Sequence, residues 1–135
     1  MSPWLEMILR LLLAAALGAA IGYQRERAGK AAGLRTHILI ASGAALFTVA
    51  SIFGFEGSAF DPSRVAAGVV AGVGFIGAGV IFRGMRGDGV AGLTSAACIW
   101  MAAAIGLAAG VGLYLIALIA TIIVVIVLRL PSLHG

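Results

Sequence analysis

Long apolar runs alternate with short polar segments along the whole chain. Three of the runs are close to the roughly 20 helical residues that cross a bilayer. A later stretch, residues 89–128, has no charged side chain and is about twice that length, and glycines near its middle offer a reversal. The pattern therefore predicts five helices, at about residues 7–23, 37–54, 65–82, 90–109 and 111–128.

The polar segment before the third run carries a helix-start signal. Asp61 is a favourable N-cap because its side chain accepts from free backbone N–H groups, and Pro62 suits the first helical position, where no N–H is needed. Arg64 follows Asp61 at a spacing that permits contact on a helix. Capping with a local ion pair is one interpretation of this pair, and a cation site on the outer face is the other.

The amino-acid composition indicates that most of this chain lies in lipid rather than in water. Of its 135 residues, 62% are hydrophobic and 10% are charged, whereas a soluble domain has about 25% charged residues. The mean hydropathy is +1.16. We predict an all-α integral membrane protein, in which residues 1–135 form a single transmembrane domain, a bundle of five transmembrane helices packed through Gly/Ala faces. The net charge of +4 lies in short clusters between the runs, which argues against nucleic-acid binding.

Lysine and arginine positions predict the orientation. Seven of the nine lie after the first, third or fifth run, and only Arg10 and Arg64 fall on the other side. Because cytoplasmic loops keep the positive charge, we expect the N-terminus outside and the C-terminus in the cytoplasm. The dense charge follows the first run, whereas a cleaved signal peptide carries it before the apolar region, so we expect the first helix to be retained.

Small residues recur at helical spacing and predict the packing faces, since close contact between helices in lipid depends on them. The fifth run has bulky side chains nearly all round and is expected to face lipid more than the others. The glycine-rich third run contains a pattern like a dinucleotide fingerprint, but no strand precedes it, so helix contact is the better interpretation. The residues assigned to helix packing are Gly18, Gly22, Gly72, Gly77, Gly79, Thr94, Ser95 and Trp100.

A polar cluster after the first helix is the candidate functional site. One interpretation is a surface that binds a partner or an anion at the inner face. The other is mutual salt bridges together with anchoring at lipid headgroups. His37 is a proton-relay candidate if buried, but its place beside Arg35 at a span end favours the headgroup level. The cluster consists of Arg25, Glu26, Arg27, Arg35, Thr36 and His37.

The sequence carries no pattern typical of catalysis. It has no nucleophile with a base, no metal-ligand cluster and no phosphate-binding loop, so we expect a protein that is not an enzyme and has no cofactor or bound metal. No Asp, Glu, Lys or Arg falls in the middle of a run, which argues against an autonomous ion pump. The hydroxyls of Thr94 and Ser95 are more typical of bonds within or between helices than of a substrate path.

Five segments resemble one family, MgtC/SapB, in order and over nearly the whole chain. The resemblance implies a bacterial inner-membrane protein with five helices and an outer N-terminus, in agreement with the charge count. Many members carry a C-terminal cytoplasmic domain, and this chain is expected to correspond to the membrane domain alone. The matching segments are GYQRER at 22–27, GLRTH at 33–37, DPSRVAA at 61–67, GFIGAGVI at 74–81 and GLTSAA at 92–97, with Trp100.

The resemblance also implies a biological setting. Members that are virulence factors act in magnesium starvation, by restraint of the F-type ATP synthase rather than by established magnesium transport. We therefore expect a non-catalytic protein that works through helix contact in the lipid bilayer, either with itself as a homo-oligomer or with another membrane complex such as F-type ATP synthase. The alternative is an oligomeric transporter or channel component for Mg²⁺ or another small solute.

Overall fold

The fold is a bundle of α-helices, as predicted for an integral membrane protein. The computed structural model describes residues 2–55, 61–84 and 92–131, with only the backbone described for residues 83 and 84. Every regular element in these ranges is an α-helix. The helices are α1 (Pro3–Arg27), α2 (Leu34–Phe53), α3 (Ser63–Gly84), α4 (Leu93–Gly110) and α5 (Tyr114–Leu128).

Helix α1 is longer than the predicted run at both ends. It begins at Pro3, four residues before the predicted start, and ends at Arg27, four residues after the predicted end. The side chain of Ser2 accepts a hydrogen bond from the backbone N–H of Leu5 (3.2 Å), and proline occupies the first helical position. The apolar pattern missed this start because the cap precedes the run.

A tight turn joins the last two helices. Gly112 has a φ of 93°, a left-handed conformation that favours glycine, and α5 starts only at Tyr114. With 15 residues, α5 is about 22 Å long, less than a full crossing and shorter than predicted, whereas the other four helices are long and apolar enough to cross a membrane. The predicted start of the fourth helix, at residue 90, lies outside the described residues.

Helix α4 lies at the centre of the bundle and contacts all four other helices. Its span is 56% buried, against 11% for the span of α3. The centre of the bundle is filled by apolar side chains, including Ile21 of α1 and Ile99 and Ile105 of α4, which are at most 1% exposed. This apolar centre separates the polar groups at the two ends of the bundle.

Glycines on α1 and α4 allow these helices to approach the backbone of α2. A Cβ added to Gly18 would lie 2.6 Å from the carbonyl oxygen of His37. A Cβ added to Gly106 would overlap with the carbonyl oxygen of Ala41. Side chains larger than hydrogen therefore do not fit without a backbone shift. The same close approach to α2 occurs at Gly22 and Gly110.

The glycines of α3 differ from those of α1 and α4. A Cβ added to Gly72 or Gly79 would have no neighbour within 4 Å, so the packing role predicted for these two residues has no partner in the described chain. Gly77 makes an ordinary contact, 3.6 Å from the side chain of Ala96. Helix α3, rather than α5 as expected, is therefore the most open helix: among its described side chains only Val73 and Gly77 are buried, whereas the shorter α5 buries Ala117, Thr121 and Val124.

Arg10 joins three helices at the end of the bundle where α1 begins. Its Nε donates to Glu6 Oε1 (3.2 Å) and its Nη1 donates to the carbonyl oxygen of Gly110 (2.9 Å). Its guanidinium carbon lies 5.1 Å from the centre of the Phe53 ring, and the hydroxyl of Tyr114 donates to the same Glu6 oxygen. The charge count treated Arg10 only as a topology signal, although its spacing from Glu6 is that of a helical ion pair.

We expect Gly106→Ala to lower the free energy of unfolding by about 1–3 kcal/mol, because the added methyl group forces α4 away from the α2 backbone. Gly74→Ala is the matched control: the site is helical and open, so the change should be neutral or stabilise by about 0.5–1 kcal/mol. Thermal unfolding in detergent, followed by circular dichroism, measures both. Equal effects of the two substitutions would contradict the close α2–α4 contact.

Candidate functional site

The C-terminal end of α1 and the N-terminal ends of α2 and α4 meet at one end of the bundle, which we call the Arg25 end. Gly22 brings α1 and α2 together there, since a Cβ added to it would lie 2.7 Å from the Cα of Leu34. Ser95 places the first turn of α4 beside α1, through its bond to Arg25. Most of the polar residues singled out in the sequence are at this end.

Arg25 is inside the protein, where its side chain is only 5% exposed. Its Nη2 donates to the hydroxyl of Ser95 at 2.6 Å, a short charge-assisted hydrogen bond. Its Nε is buried and has no hydrogen-bond partner. The interpretation of mutual salt bridges with headgroup anchoring is therefore wrong for Arg25, because its side chain is buried against Ser95 of α4.

His37 is also buried, with no exposed surface, so its side chain does not contact headgroups or water as the sequence favoured. Its Nδ1 lies 2.8 Å from the carbonyl oxygen of Gly33. Because a carbonyl oxygen only accepts, Nδ1 carries the proton, and Nε2 of the neutral ring is an acceptor. That Nε2 is buried without a partner. Two unpartnered polar atoms, one donor and one acceptor, thus lie at the Arg25 end.

Glu26 has a structural role that its sequence context did not reveal. Its Oε1 accepts from the backbone N–H of Leu34 at 3.0 Å, across the α1–α2 loop. Gly33 at the N-cap position of α2 has no side chain to perform this function, and a Cβ there would overlap with the Glu26 carboxylate. Glu26 therefore caps α2 instead of forming the predicted salt bridges with Arg25 and Arg27.

The remaining residues of the predicted cluster lie at the surface. Arg27 is exposed and lies over the ring of Tyr23, 5.8 Å from its centre. Arg35 and Thr36 line a polar hollow of about 310 Å³ at the loop, together with Lys30 and Glu26. The six residues of the cluster are therefore divided: Arg25 and His37 are buried, three others line the hollow, and Arg27 is exposed outside it.

On α4, the three predicted residues point in different directions. Ser95 is buried against Arg25, whereas Thr94 is exposed and Trp100 is 55% exposed. Cys98, one turn after Ser95, is buried as a free thiol. Only Ser95 of the three therefore belongs to the polar cluster.

Asp61 lies away from this cluster, before α3, and acts as a cap. Its Oδ1 accepts from the backbone N–H of Ser63 (3.0 Å) and from the Ser63 hydroxyl (2.7 Å). These bonds, the hydroxyl first, hold the pKa of the Asp61 carboxyl below its usual value. The predicted ion pair with Arg64 is not formed, since the one ion pair within the described ranges joins Glu6 and Arg10.

These features define a multi-pass, all-α membrane protein with a buried polar cluster at one end. No group of three His, Cys, Asp or Glu side chains that could hold a metal ion is found in the described part of the chain. The chain belongs to the MgtC family, whose model matches residues 11–134.

Curated relatives agree with this family assignment. YhiD of Escherichia coli K12, named as a proposed magnesium transporter, is 48% identical over 130 residues, which cover 92% of this chain and 60% of YhiD. Protein MgtC of Salmonella typhimurium LT2 is 48% identical over 117 residues, 87% of this chain and 48% of MgtC. The chain thus spans about half to three-fifths of the length of these relatives. No solved structure matches it.

We expect Glu26→Ala to lower the free energy of unfolding by about 1 kcal/mol, because it removes the cap of α2. Glu26→Gln retains an oxygen acceptor and should keep most of the stability. Thermal unfolding in detergent compares the two, with Arg27→Ala as the exposed neighbouring control. If Glu26→Gln lowers the free energy of unfolding as much as Glu26→Ala does, the fold requires the carboxylate charge rather than the cap.

Proposed function

We propose that this protein is a non-catalytic membrane protein that acts under magnesium limitation through helix contact with a second copy or with another membrane complex, one candidate being F-type ATP synthase. The magnesium setting comes from the name of its relative YhiD, a proposed magnesium transporter, and from the resemblance to the family. The proposed location is the bacterial inner membrane, with the N-terminus outside and the C-terminus in the cytoplasm, as the positions of Lys and Arg favour.

The open face of α3 is the observation that carries the proposal. Gly68, Gly72 and Gly79 each have room for a side chain that no neighbour fills. The face continues into an apolar crevice of about 650 Å³ between α2 and α3, with Ala103 of α4 among its lining residues. In lipid, small-residue faces favour helix association because they allow backbones to approach closely. Within the chain, Gly18 and Gly106 already allow such a close approach of α1 and α4 to the backbone of α2.

The filled centre of the bundle also supports contact rather than conduction. Ile21, Ile99 and Ile105 are almost fully buried between the two polar ends. Thr48 and Thr121, buried in α2 and α5, donate their hydroxyl groups to backbone carbonyls of their own helices. A path for a hydrated ion through one chain would require these residues to separate.

The alternative function is an oligomeric transporter or channel component for Mg²⁺ or another small solute. The name of YhiD, a relative at 48% identity, favours it. In that case the path would run between chains, and the open face of α3 would line or close it. The two functions therefore share an association surface and differ in whether a solute crosses.

Crosslinking in native membranes tests the association surface. We expect Gly72→Leu to reduce crosslinked complexes roughly tenfold, because it fills the open face of α3. Gly74→Leu is the matched control, since Gly74 is equally open but lies about 200° around the same helix. Mass spectrometry of the captured complexes identifies the partner. Equal yields for the wild type and Gly72→Leu would contradict the proposal.

A flux assay in proteoliposomes separates the two functions. The proposed function predicts no protein-dependent Mg²⁺ uptake, measured with an entrapped magnesium-sensitive dye. Protein-dependent uptake that is lost in Gly72→Leu and retained in Gly74→Leu would overturn it in favour of the oligomeric transporter.

A further inference from the structure

The buried charge of Arg25 has no carboxylate counterpart in the described ranges. The ion pair found there, Glu6 with Arg10, lies at the opposite end of the bundle, and Glu26 is engaged in capping α2. A guanidinium that is only 5% exposed loses most of its hydration, and such a charge is normally compensated by an anion or by a full set of hydrogen bonds. Ser95 supplies one neutral partner only.

The unused donor has the geometry for a bidentate oxyanion. Nε and Nη2 share one edge of a guanidinium, and this edge matches the two oxygens of a carboxylate or phosphoryl group. On Arg25, Nη2 contacts the Ser95 hydroxyl at 2.6 Å and Nε has no partner. The hydroxyl accepts this bond and retains its own hydrogen for a further acceptor. An oxygen placed at this edge would therefore meet two or three donors.

His37 narrows the chemical class of the ligand. Its Nε2 is a buried acceptor without a partner, on α2, which packs closely against the helix that carries Arg25. A ligand that satisfies both groups must accept from Arg25 and donate to His37. A phosphoryl group that carries one proton does both, whereas a deprotonated carboxylate or sulfate only accepts.

The surroundings carry further positive charge. Lys30 and Arg35 line the polar hollow of about 310 Å³ at the same end of the bundle. Gly33 lines this hollow too, and its carbonyl oxygen is the partner of His37 Nδ1. Two cations thus lie at the same end of the bundle as the buried cluster and favour the approach of an anion.

The geometry points to a phosphoryl-binding site formed by Arg25, Ser95 and His37. Free phosphate and the phosphate monoester headgroup of phosphatidic acid share this chemistry, because the phosphoryl group of each can carry one proton. The inference is independent of the association surface on α3, because its three residues belong to α1, α2 and α4.

Equilibrium dialysis of the detergent-solubilised protein against radiolabelled inorganic phosphate tests the site directly. We expect saturable binding of one phosphate per chain and a rise in Tm on addition of phosphate but not of chloride at equal ionic strength. Sulfate is expected to bind more weakly, since it has no proton for His37 Nε2. Absence of saturable phosphate binding, together with no Arg25-dependent lipid retention in the experiment below, would overturn the site.

Variants assign the binding to these residues. Arg25→Gln and Ser95→Ala are expected to weaken phosphate binding roughly tenfold or more, because each removes a donor to the anion. Arg27→Gln is the matched control, an exposed arginine two residues away that should bind as the wild type does. If Arg25→Gln does not fold, Ser95→Ala still decides, since it removes only a hydroxyl. Wild-type affinity in Ser95→Ala would overturn the proposed geometry.

Nanodiscs distinguish the two sources of the phosphoryl group. If a headgroup is the ligand, nanodiscs that contain phosphatidic acid should bind less free phosphate than phosphatidylcholine nanodiscs, and native mass spectrometry should find phosphatidic acid retained by the wild type and lost in Arg25→Gln. If free phosphate is the ligand, both nanodiscs should bind it equally. Either pattern supports the site, and free-phosphate binding that is unchanged in Arg25→Gln would overturn it.

Discussion

The backbone of α2 lies in direct contact with two other helices, and the rest of the bundle is arranged around this contact. Gly18 on α1 and Gly106 on α4 have only hydrogen where other residues have a side chain, so their helices reach the carbonyl groups of α2. In a bilayer, where apolar burial drives helix association weakly, such approach gives dispersion contacts and aligns Cα–H groups with carbonyl oxygens. The tight core of α1, α2 and α4 follows from it.

The same contact accounts for the polar cluster. Gly22 brings α1 against the start of α2, and Arg25, one turn later on α1, is buried and donates to Ser95 on α4. His37 is enclosed because Gly18 of α1 lies against the backbone carbonyl group of His37. The side chains of Arg25 and His37 are therefore inside the bundle. Glu26, next to Arg25 in sequence, is at the surface and caps α2.

Helix α3 illustrates the opposite case. It carries six glycines, more than α1, α2 and α4 together, yet its span is only 11% buried, and Gly72 faces the crevice between α2 and α3. A small-residue face that the chain itself leaves open is a surface for another membrane helix. The bundle thus combines a tight half, which holds the polar cluster, with an open half, which is the basis of the proposed association.

The sequence by itself determined the fold class, the number of helices and the family. These depend on apolar run length, charge spacing and segment identity, all of which are local properties of the chain. It also placed the close packing at Gly18 and Gly22, because small residues at a spacing of four define one helix face. The early start of α1 was missed, since its cap at Ser2 lies outside the apolar run.

Only the tertiary structure decided which polar residues are buried and which glycines have partners. Arg25 and Arg27 are alike in sequence and differ because they lie two residues apart on a helix, about 200° around its axis, so one faces α4 and the other faces outward. Gly72 and Gly106 likewise have the same chemistry, and the position of the neighbouring helix separates them. Whether a residue is buried depends on what packs against it, and the sequence of one segment does not specify which other segment that is.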